Sequence, residues 1–162
     1  MTYPTTRRTA LAWLGAGFTV PVLAACGSAA QAKTYKISYT DAEWKKRLSP
    51  ASYRVLREAD TEPPFSSPLD KEHRKGTFVC AGCGNELYAS ATKFESGTGW
   101  PSFYRPLPRA VGTSTDREFG VARTEVHCAR CGGHLGHVFK DGPKPTGLRY
   151  CMNGLAMKFR AA

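Results

Sequence analysis

The chain carries two C-x-x-C pairs, Cys80-Ala81-Gly82-Cys83 and Cys128-Ala129-Arg130-Cys131, with 44 residues between them. A glycine follows each pair, which suits the tight turn of a zinc knuckle. Four thiolates in two such pairs predict a structural tetrahedral zinc site on Cys80, Cys83, Cys128 and Cys131. The separation is much longer than the insert of a compact zinc finger. We therefore expect the metal to join two distant parts of one domain.

The segments around these pairs have the pattern of short β-strands broken by glycines. Before them, the capping box Thr40-Asp41-Ala42-Glu43 opens a helix to about Leu48, and Pro50 opens a second to about Ala59. The predicted fold class is mainly β, of the α+β type, with antiparallel strands behind two short N-terminal helices. The predicted strands span residues 77–80, 86–89, 119–128, 135–139, 148–152 and 155–159.

Length and charge set broad limits on function. About 130 of the 162 residues follow the N-terminal segment described next, which is enough for one domain. The 23 Lys and Arg outnumber the 13 Asp and Glu, which favours acidic partners. The basic residues are scattered without a long run, so the sequence does not predict nucleic-acid binding.

Residues 1–32 have the pattern of an export signal, separate from a single domain predicted for residues 33–162. Thr6-Arg7-Arg8-Thr9-Ala10-Leu11 resembles a twin-arginine signal. The apolar run at 10–25 is too short to span a membrane. The sequence therefore predicts export to the periplasm or cell envelope.

Two cleavage sites compete within this segment. Leu23-Ala24-Ala25-Cys26 resembles a lipobox, which would leave Cys26 as a lipid anchor at the new N-terminus. Ala30-Gln31-Ala32 would instead direct cleavage after Ala32 and remove Cys26. We favour the lipobox because the cysteine directly ends the apolar run.

Export also offers an alternative use for the two C-x-x-C pairs, since exported proteins often form disulfides. Twin-arginine signals are associated with the export of folded proteins, so zinc could be bound first in the reducing cytoplasm. A closed site with four Cys ligands has no open position, and it contributes stability rather than chemistry.

The stretch Leu148-Arg149-Tyr150-Cys151-Met152-Asn153-Gly154 points to chemistry. Read as a strand, it places Arg149, Cys151 and Asn153 on one face and the apolar residues on the other. An unpaired Cys usually lies among apolar side chains, so a thiol on a polar face indicates a nucleophile, with Arg149 favouring the thiolate. A structural Cys at the rim of a sheet is the alternative.

Two further motifs are Ser96-Gly97-Thr98-Gly99-Trp100-Pro101-Ser102-Phe103 and His134-Leu135-Gly136-His137-Val138-Phe139. A Trp between Gly and Pro in a loop is poorly placed for the core, although it could cover it. Strict alternation puts His134 and His137 on opposite faces, so both serve one site only if Gly136 allows a bulge. Otherwise one His is structural and the other exposed.

Taken together, these motifs resemble methionine sulfoxide reductase B, a family that reduces the R epimer of methionine sulfoxide, free or within proteins. The resemblance covers about Thr40 to Phe159. It rests, in chain order, on the first C-x-x-C pair, S-G-x-G-W-P-S-F, the second C-x-x-C pair, H-L-G-H-V-F, Asp141-Gly142-Pro143 and R-Y-C-x-N. It implies coiled antiparallel sheets that form a barrel-like body with helices at the N-terminus.

The resemblance also implies a role for each site residue. Cys151 matches the nucleophile, which attacks the sulfoxide sulfur and becomes a sulfenic acid as methionine leaves. Trp100 matches the aromatic residue that packs on the substrate methyl, and Phe139 would extend this apolar wall. The other matches are His134 and His137, which bind and protonate the sulfoxide oxygen, and Arg149 and Asn153, which support them.

The chain departs from many members of that family at Thr98, where they have a Cys that attacks the sulfenic acid. With four Cys assigned to zinc and Cys26 lipidated or removed, the mature protein keeps no resolving thiol. We therefore expect an external thiol reductant, such as a thioredoxin-like protein, to regenerate Cys151.

The expected substrates are oxidised methionine-containing proteins of the envelope, and we expect the enzyme to be a monomer. A non-catalytic zinc-ribbon binding module is the alternative function. Both the 44-residue spacing and the polar-faced Cys151 disfavour it.

Overall fold

The computed structural model describes residues 34–117 and 120–162 of the chain. In these residues α1 (Asp41–Arg47) and α2 (Pro50–Glu58) come first, and strands follow. The predicted export signal and both cleavage sites lie outside the described residues. None of the described helices is long and apolar enough to cross a membrane.

The strands are β1 (Gly76–Cys80), β2 (Glu86–Ala89), β3 (Lys93–Phe94), β4 (Ser102–Phe103), β5 (Val111–Asp116), β6 (Arg123–Cys128), β7 (His134–Phe139), β8 (Arg149–Met152) and β9 (Met157–Ala161).

Side-chain caps begin both helices where the sequence predicts them. Thr40 accepts a hydrogen bond from the backbone N–H of Glu43 at 3.3 Å, and the Glu43 carboxylate accepts one from the Thr40 N–H at 2.8 Å. At α2 the Ser49 side chain accepts a hydrogen bond from the Ser52 N–H, and Pro50 supplies a first-turn residue that needs no N–H partner. The two predicted helices are therefore confirmed.

The strands form two antiparallel sheets, one of order β2-β1-β9 and one of order β3-β4-β8-β7-β6-β5. This arrangement confirms a mainly β, α+β fold behind two N-terminal helices. The barrel-like body implied by the resemblance is open, because β3 and β5 stand at opposite edges of the larger sheet and do not pair with each other.

Some strands differ from the sequence prediction. The strand predicted for 119–128 begins at Arg123, and Phe119 lies outside the described residues. The one predicted for 155–159 begins at Met157, because a 3₁₀ turn at Gly154–Ala156 precedes it. The sequence analysis missed β3, β4 and β5. The first two have only two residues each, and β5 is a largely polar edge strand.

Aromatic side chains join the two sheets. Tyr88 of the small sheet stacks on Phe103 of the large sheet with ring centroids 4.3 Å apart, and Phe78 meets Phe103 edge-on at 4.9 Å. The Tyr88 hydroxyl donates a hydrogen bond to the sulfur of Met152 at 3.1 Å. Met152 is fully buried. The neighbouring residue on β8, Cys151, therefore faces away from this core, as the alternation predicts.

A β-bulge in β7 meets the condition set by the sequence analysis for bringing the two histidines together. Val126 pairs with Gly136 but His127 pairs with His134, so Leu135 is the extra residue. Gly136 has φ +151°, and a Cβ there would collide with the carbonyl oxygen of Cys151. Only glycine fits this close approach of β7 to β8.

We expect Gly136→Ala to lower the free energy of unfolding by about 3 kcal/mol or more, because it adds both backbone strain and a clash with β8. Gly147→Ala is the matched control. Gly147 also has positive φ, but a Cβ there would meet nothing within 4 Å, so strain alone should cost about 1 kcal/mol. Urea unfolding of both variants measures the difference. Equal costs would contradict the proposed tight fit between β7 and β8.

Candidate active site and metal centre

A row of side chains crosses the large sheet on the face opposite the core. Ser102 pairs with Cys151, Cys151 with His137, His137 with Glu125, and Glu125 with Ser114. Directly paired residues of antiparallel strands project from the same face. The thiol of Cys151 is thus flanked by a hydroxyl on β4 and an imidazole on β7.

A cavity of about 150 Å³ opens at this row. It brings together five of the predicted site residues. His134 and Arg149 are not among its lining residues. His134 instead lines an adjacent cavity of about 180 Å³ that it shares with His137. The first cavity is lined by Thr61, Trp100, Arg123, Gly136, His137, Phe139, Cys151 and Asn153.

The Cys151 thiol is half-buried, and this burial raises its pKa from the ordinary value of 9.0. Contacts with Thr98, Arg149 and Ser102 oppose the rise. Arg149 is largely committed elsewhere, since its guanidinium makes two hydrogen bonds to Asp141 at 3.0 and 2.8 Å and lies 4.5 Å from the centre of the Phe139 ring. Its main contacts therefore hold a loop and an aromatic wall, and its effect on the thiolate is secondary.

Two carboxylates orient the two histidines. Glu125 lies 2.9 Å from Nδ1 of His134, and Asp116 lies 2.8 Å from Nε2 of His137. Each imidazole thereby has one ring nitrogen held by a carboxylate. The ring centroids are 5.3 Å apart, so the β7 bulge does place both rings side by side.

The protonation states of these groups follow from burial and from their partners. Burial lowers the pKa of His137 from its ordinary value of 6.5, and the hydrogen bond to Asp116 only partly offsets this. Hydrogen bonds with His127 and His134 hold the pKa of Glu125 well below its usual range. Among the described residues, Nε2 of His134 is buried without a hydrogen-bond partner. A buried nitrogen of this kind marks a place where a polar ligand atom can bind.

Glu62 is a site residue that the sequence analysis missed. Its side chain is buried, and its carboxylate accepts hydrogen bonds from the backbone N–H groups of Gly154 and Leu155. Its backbone carbonyl accepts from the Trp100 indole at 3.0 Å, and its N–H donates to the Asn153 side chain at 3.0 Å. One acidic residue in a Pro-rich loop gives no periodic signal, so only long-range contacts reveal it.

Asp116 and Glu125 were also missed, for a different reason. Glu125 lies on β6, which pairs with β7, and Asp116 lies on β5, one strand further out; neither place in the sheet could be read from the sequence. Once the register is known, Glu125 falls directly opposite His137. A search for carboxylates on the strands flanking the H-L-G-H-V-F motif would have found it.

The four Cys of the C-x-x-C pairs form the candidate metal centre. Their sulfur atoms all lie within 4.8 Å of one another, with Cys80 3.7 Å from Cys131 and Cys83 3.6 Å from Cys128. Sulfur atoms 2.3 Å from a tetrahedral zinc ion would be about 3.8 Å apart. These residues therefore fit zinc. The described cysteines are free thiols, so the disulfide alternative is not favoured.

Two similar turns build this centre, as the glycine after each pair predicts. Gly84 and Gly132 have φ of 70° and 69°, and their N–H groups donate to the carbonyls of Cys80 and Cys128. The first turn follows β1 of the small sheet. The second is the turn of the hairpin formed by β6 and β7. The metal centre thus links the two sheets.

We expect Cys131→Ser to release the metal and to lower the melting temperature by roughly 10 °C or more, because a closed site contributes several kcal/mol to folding. Cys151→Ser is the matched control and should keep both the metal and the melting temperature. Metal analysis alongside thermal unfolding measures both properties. Purified wild type with two disulfides and no stoichiometric metal would contradict this assignment.

Comparison with known proteins agrees with this geometry. The model of the SelR domain matches residues 48–161 of the chain. The peptide methionine sulfoxide reductase MsrB of Leptospira interrogans is 53% identical over 127 residues, which cover 78% of this chain and 97% of that protein. The MsrB proteins of Bradyrhizobium diazoefficiens and Methanosarcina barkeri are 55% and 51% identical, covering 76% of this chain in both cases and 89% and 88% of those proteins. The chain therefore belongs to the methionine sulfoxide reductase B family, whose members carry the SelR domain.

Proposed function

We propose that this chain is an exported, zinc-stabilised reductase for the R epimer of methionine sulfoxide, free or in proteins, with Cys151 as the nucleophile. The observation that carries the proposal is the cavity in which a thiol, an imidazole and an indole converge. This cavity is separate from the Cys cluster, which has no open ligand position. A non-catalytic zinc-ribbon module would not need it.

The reaction moves one oxygen atom between two sulfur atoms. The Cys151 thiolate attacks the sulfoxide sulfur, the sulfoxide oxygen passes to Cys151, and the products are a sulfenic acid and methionine. Sulfoxide oxygen leaves poorly unless it is protonated. His137, which sits opposite Cys151 on β7, is the nearest imidazole partner in the row and would supply that proton.

The cavity walls favour one arrangement of the substrate. Trp100 and Phe139 provide the apolar wall for the methyl group, and the polar side carries His137 and Asn153. Because the methyl group and the oxygen need opposite surroundings, only one epimer presents both correctly to Cys151. Glu62 fixes this geometry, since it holds the Trp100 indole and the Asn153 amide at once.

Reduction of the Cys151 sulfenic acid back to the thiol would depend on another molecule. Thr98 places a hydroxyl 3.8 Å from the Cys151 sulfur, where many family members have the resolving thiol. An external dithiol, such as a thioredoxin-like protein, would reduce the sulfenic acid with release of water. The twin-arginine pattern and the lipobox at Cys26 support a lipid-anchored enzyme that repairs envelope proteins. We also propose that this enzyme is a monomer.

The proposal is tested by a single turnover without reductant. We expect wild type to release one methionine per enzyme from the R epimer and to form a sulfenic acid at Cys151, trapped by a dimedone-type reagent and located by mass spectrometry. Cys151→Ser should release none while keeping its fold, since a hydroxyl is a far weaker nucleophile than a thiolate. Comparable release from the S epimer, or turnover by Cys151→Ser, would overturn the proposal.

The pH dependence follows from the opposite shifts at the two reacting groups. The reactive form needs a charged His137 and an ionised Cys151, yet the pKa of His137 lies below 6.5 and that of Cys151 above 9.0. Between these values the imidazolium fraction falls with pH as fast as the thiolate fraction rises. We therefore expect kcat/KM to be flat across neutral pH and to fall on either side.

In His137→Ala the rate no longer depends on the fraction of protonated imidazole, only on the fraction of Cys151 thiolate. We expect kcat/KM to drop by ~10²–10⁴-fold near neutral pH and then to rise about tenfold per pH unit until Cys151 is ionised. His73→Ala, which removes an exposed histidine, should keep the flat profile. Initial rates with N-acetylmethionine R-sulfoxide give both profiles. A flat profile in His137→Ala would remove this residue from the proton transfer.

A further inference from the structure

Three hydroxyl groups form a chain that ends at the sulfur of Cys151. The Thr98 hydroxyl lies 3.8 Å from that sulfur and 2.8 Å from the Ser96 hydroxyl. Ser96 in turn lies 2.8 Å from the hydroxyl of Ser102, which donates to the backbone carbonyl of Trp100 at 3.0 Å. This row of hydroxyls runs from the sulfur of Cys151 to the backbone carbonyl of Trp100, the residue that forms the apolar wall.

The number of protons in this row of hydroxyls and the sulfur depends on whether Cys151 is a thiol or a thiolate. It has four links but only three hydroxyl protons, because each hydroxyl donates once. When Cys151 is a thiol, its S–H supplies the fourth proton, and all four links are filled in the direction from the sulfur to the Trp100 carbonyl. When Cys151 is a thiolate, one link must open.

Hydroxyl rotation decides which link opens. If all three hydroxyls turn around, Thr98 donates to the sulfur, Ser96 to Thr98 and Ser102 to Ser96. The open link is then at the Trp100 carbonyl, at the end farthest from the negative charge. Such rotations need no movement of heavy atoms, so the same frame can serve both states of the sulfur.

We propose that Thr98, Ser96 and Ser102 form a hydroxyl relay that reverses its direction when Cys151 ionises and so stabilises the thiolate. The proposal rests on Cys151 being the nucleophile of the proposed function. It assigns a role to the residue that occupies the place of a resolving thiol. Thr98 contacts the reacting sulfur directly, and Ser96 is a positioning residue that acts through it. Ser102 supports Ser96 and also contacts Cys151 from the paired strand.

The surroundings of Cys151 explain why such a donor is needed. Burial disfavours the thiolate, and Arg149 directs its guanidinium at Asp141. Ser102 is itself buried and is the direct cross-strand partner of Cys151, so the pairing of β4 and β8 holds this member of the relay in place. A hydrogen bond to a charged group is stronger than one to a neutral group, which gives the relay its preference for the thiolate.

The test measures the pKa of Cys151 directly. Full-length protein is alkylated with iodoacetamide at a series of pH values, and peptide mass mapping follows Cys151 apart from the other cysteines. We expect Thr98→Val to raise the apparent pKa by about one unit, the size expected for losing a hydrogen bond to a charged group. Ser96→Ala should raise it by less, because Thr98 keeps its hydroxyl but loses its support.

Two controls separate hydrogen bonding from packing. Thr98→Ser keeps the hydroxyl and should retain the wild-type profile, and Thr113→Val makes the same change at an exposed site on β5. An unchanged profile in Thr98→Val, or an equal shift in Thr98→Ser, would overturn the role of the hydroxyl. An unchanged profile in Ser96→Ala would overturn the relay. Alkylation needs no sulfoxide, so these outcomes stay readable even if the proposed reductase activity fails.

Discussion

The close approach of four sulfur atoms is the constraint on which the arrangement of this protein depends. The first pair ends β1 of the small sheet, and the second pair forms the turn between β6 and β7. Glu125 lies three residues before Cys128, and His134 lies three residues after Cys131. A metal bound at this turn would therefore fix the hairpin whose two arms carry a carboxylate and its imidazole partner. The metal centre has no catalytic role of its own, but it would hold Glu125 and His134 in position relative to each other.

The active site works against the cost of burying charge. A half-buried thiol and a half-buried imidazole each favour the neutral form, and the pKa directions of Cys151 and His137 show both effects. The site compensates with fixed partners: Asp116 on one imidazole, Glu125 on the other, and hydroxyls beside the sulfur. Because these partners sit on paired strands, they are in place before the substrate arrives. Preorganised dipoles of this kind stabilise developing charge without rearranging during the reaction.

The sequence predicts well those features that neighbouring residues encode. The zinc knuckles, the helix caps and the polar face of β8 each depend on residues within a few positions of one another. The bulge at Gly136 could be stated only as a condition, because its cause is the backbone of Cys151 on another strand. Glu62 and Asp116 gave no signal at all. Their roles depend on partners 91 and 21 residues away along the chain, and such contacts become visible only in the folded structure. The two-residue strands β3 and β4 exist for the same reason, since tertiary pairing rather than propensity creates them.

The loop that follows the N-terminal helices connects them to the active site. Helix α2 ends at Glu58, and Glu62 lies four residues later. Its carboxylate accepts two hydrogen bonds, its backbone carbonyl accepts one, and its backbone N–H donates one. These bonds connect Trp100, which shapes the substrate wall, to the segment directly after Cys151. Burial raises the pKa of Glu62, and the hydrogen bonds from the backbone N–H groups of Gly154 and Leu155 partly offset this rise. The loop after the helices thus contributes to one wall of the cavity, directly through Thr61 and indirectly through the hydrogen bonds of Glu62 to Trp100 and Asn153. Removing this loop would free the Trp100 indole and the Asn153 side chain from Glu62, even though every residue of the β6, β7 and β8 strands remained.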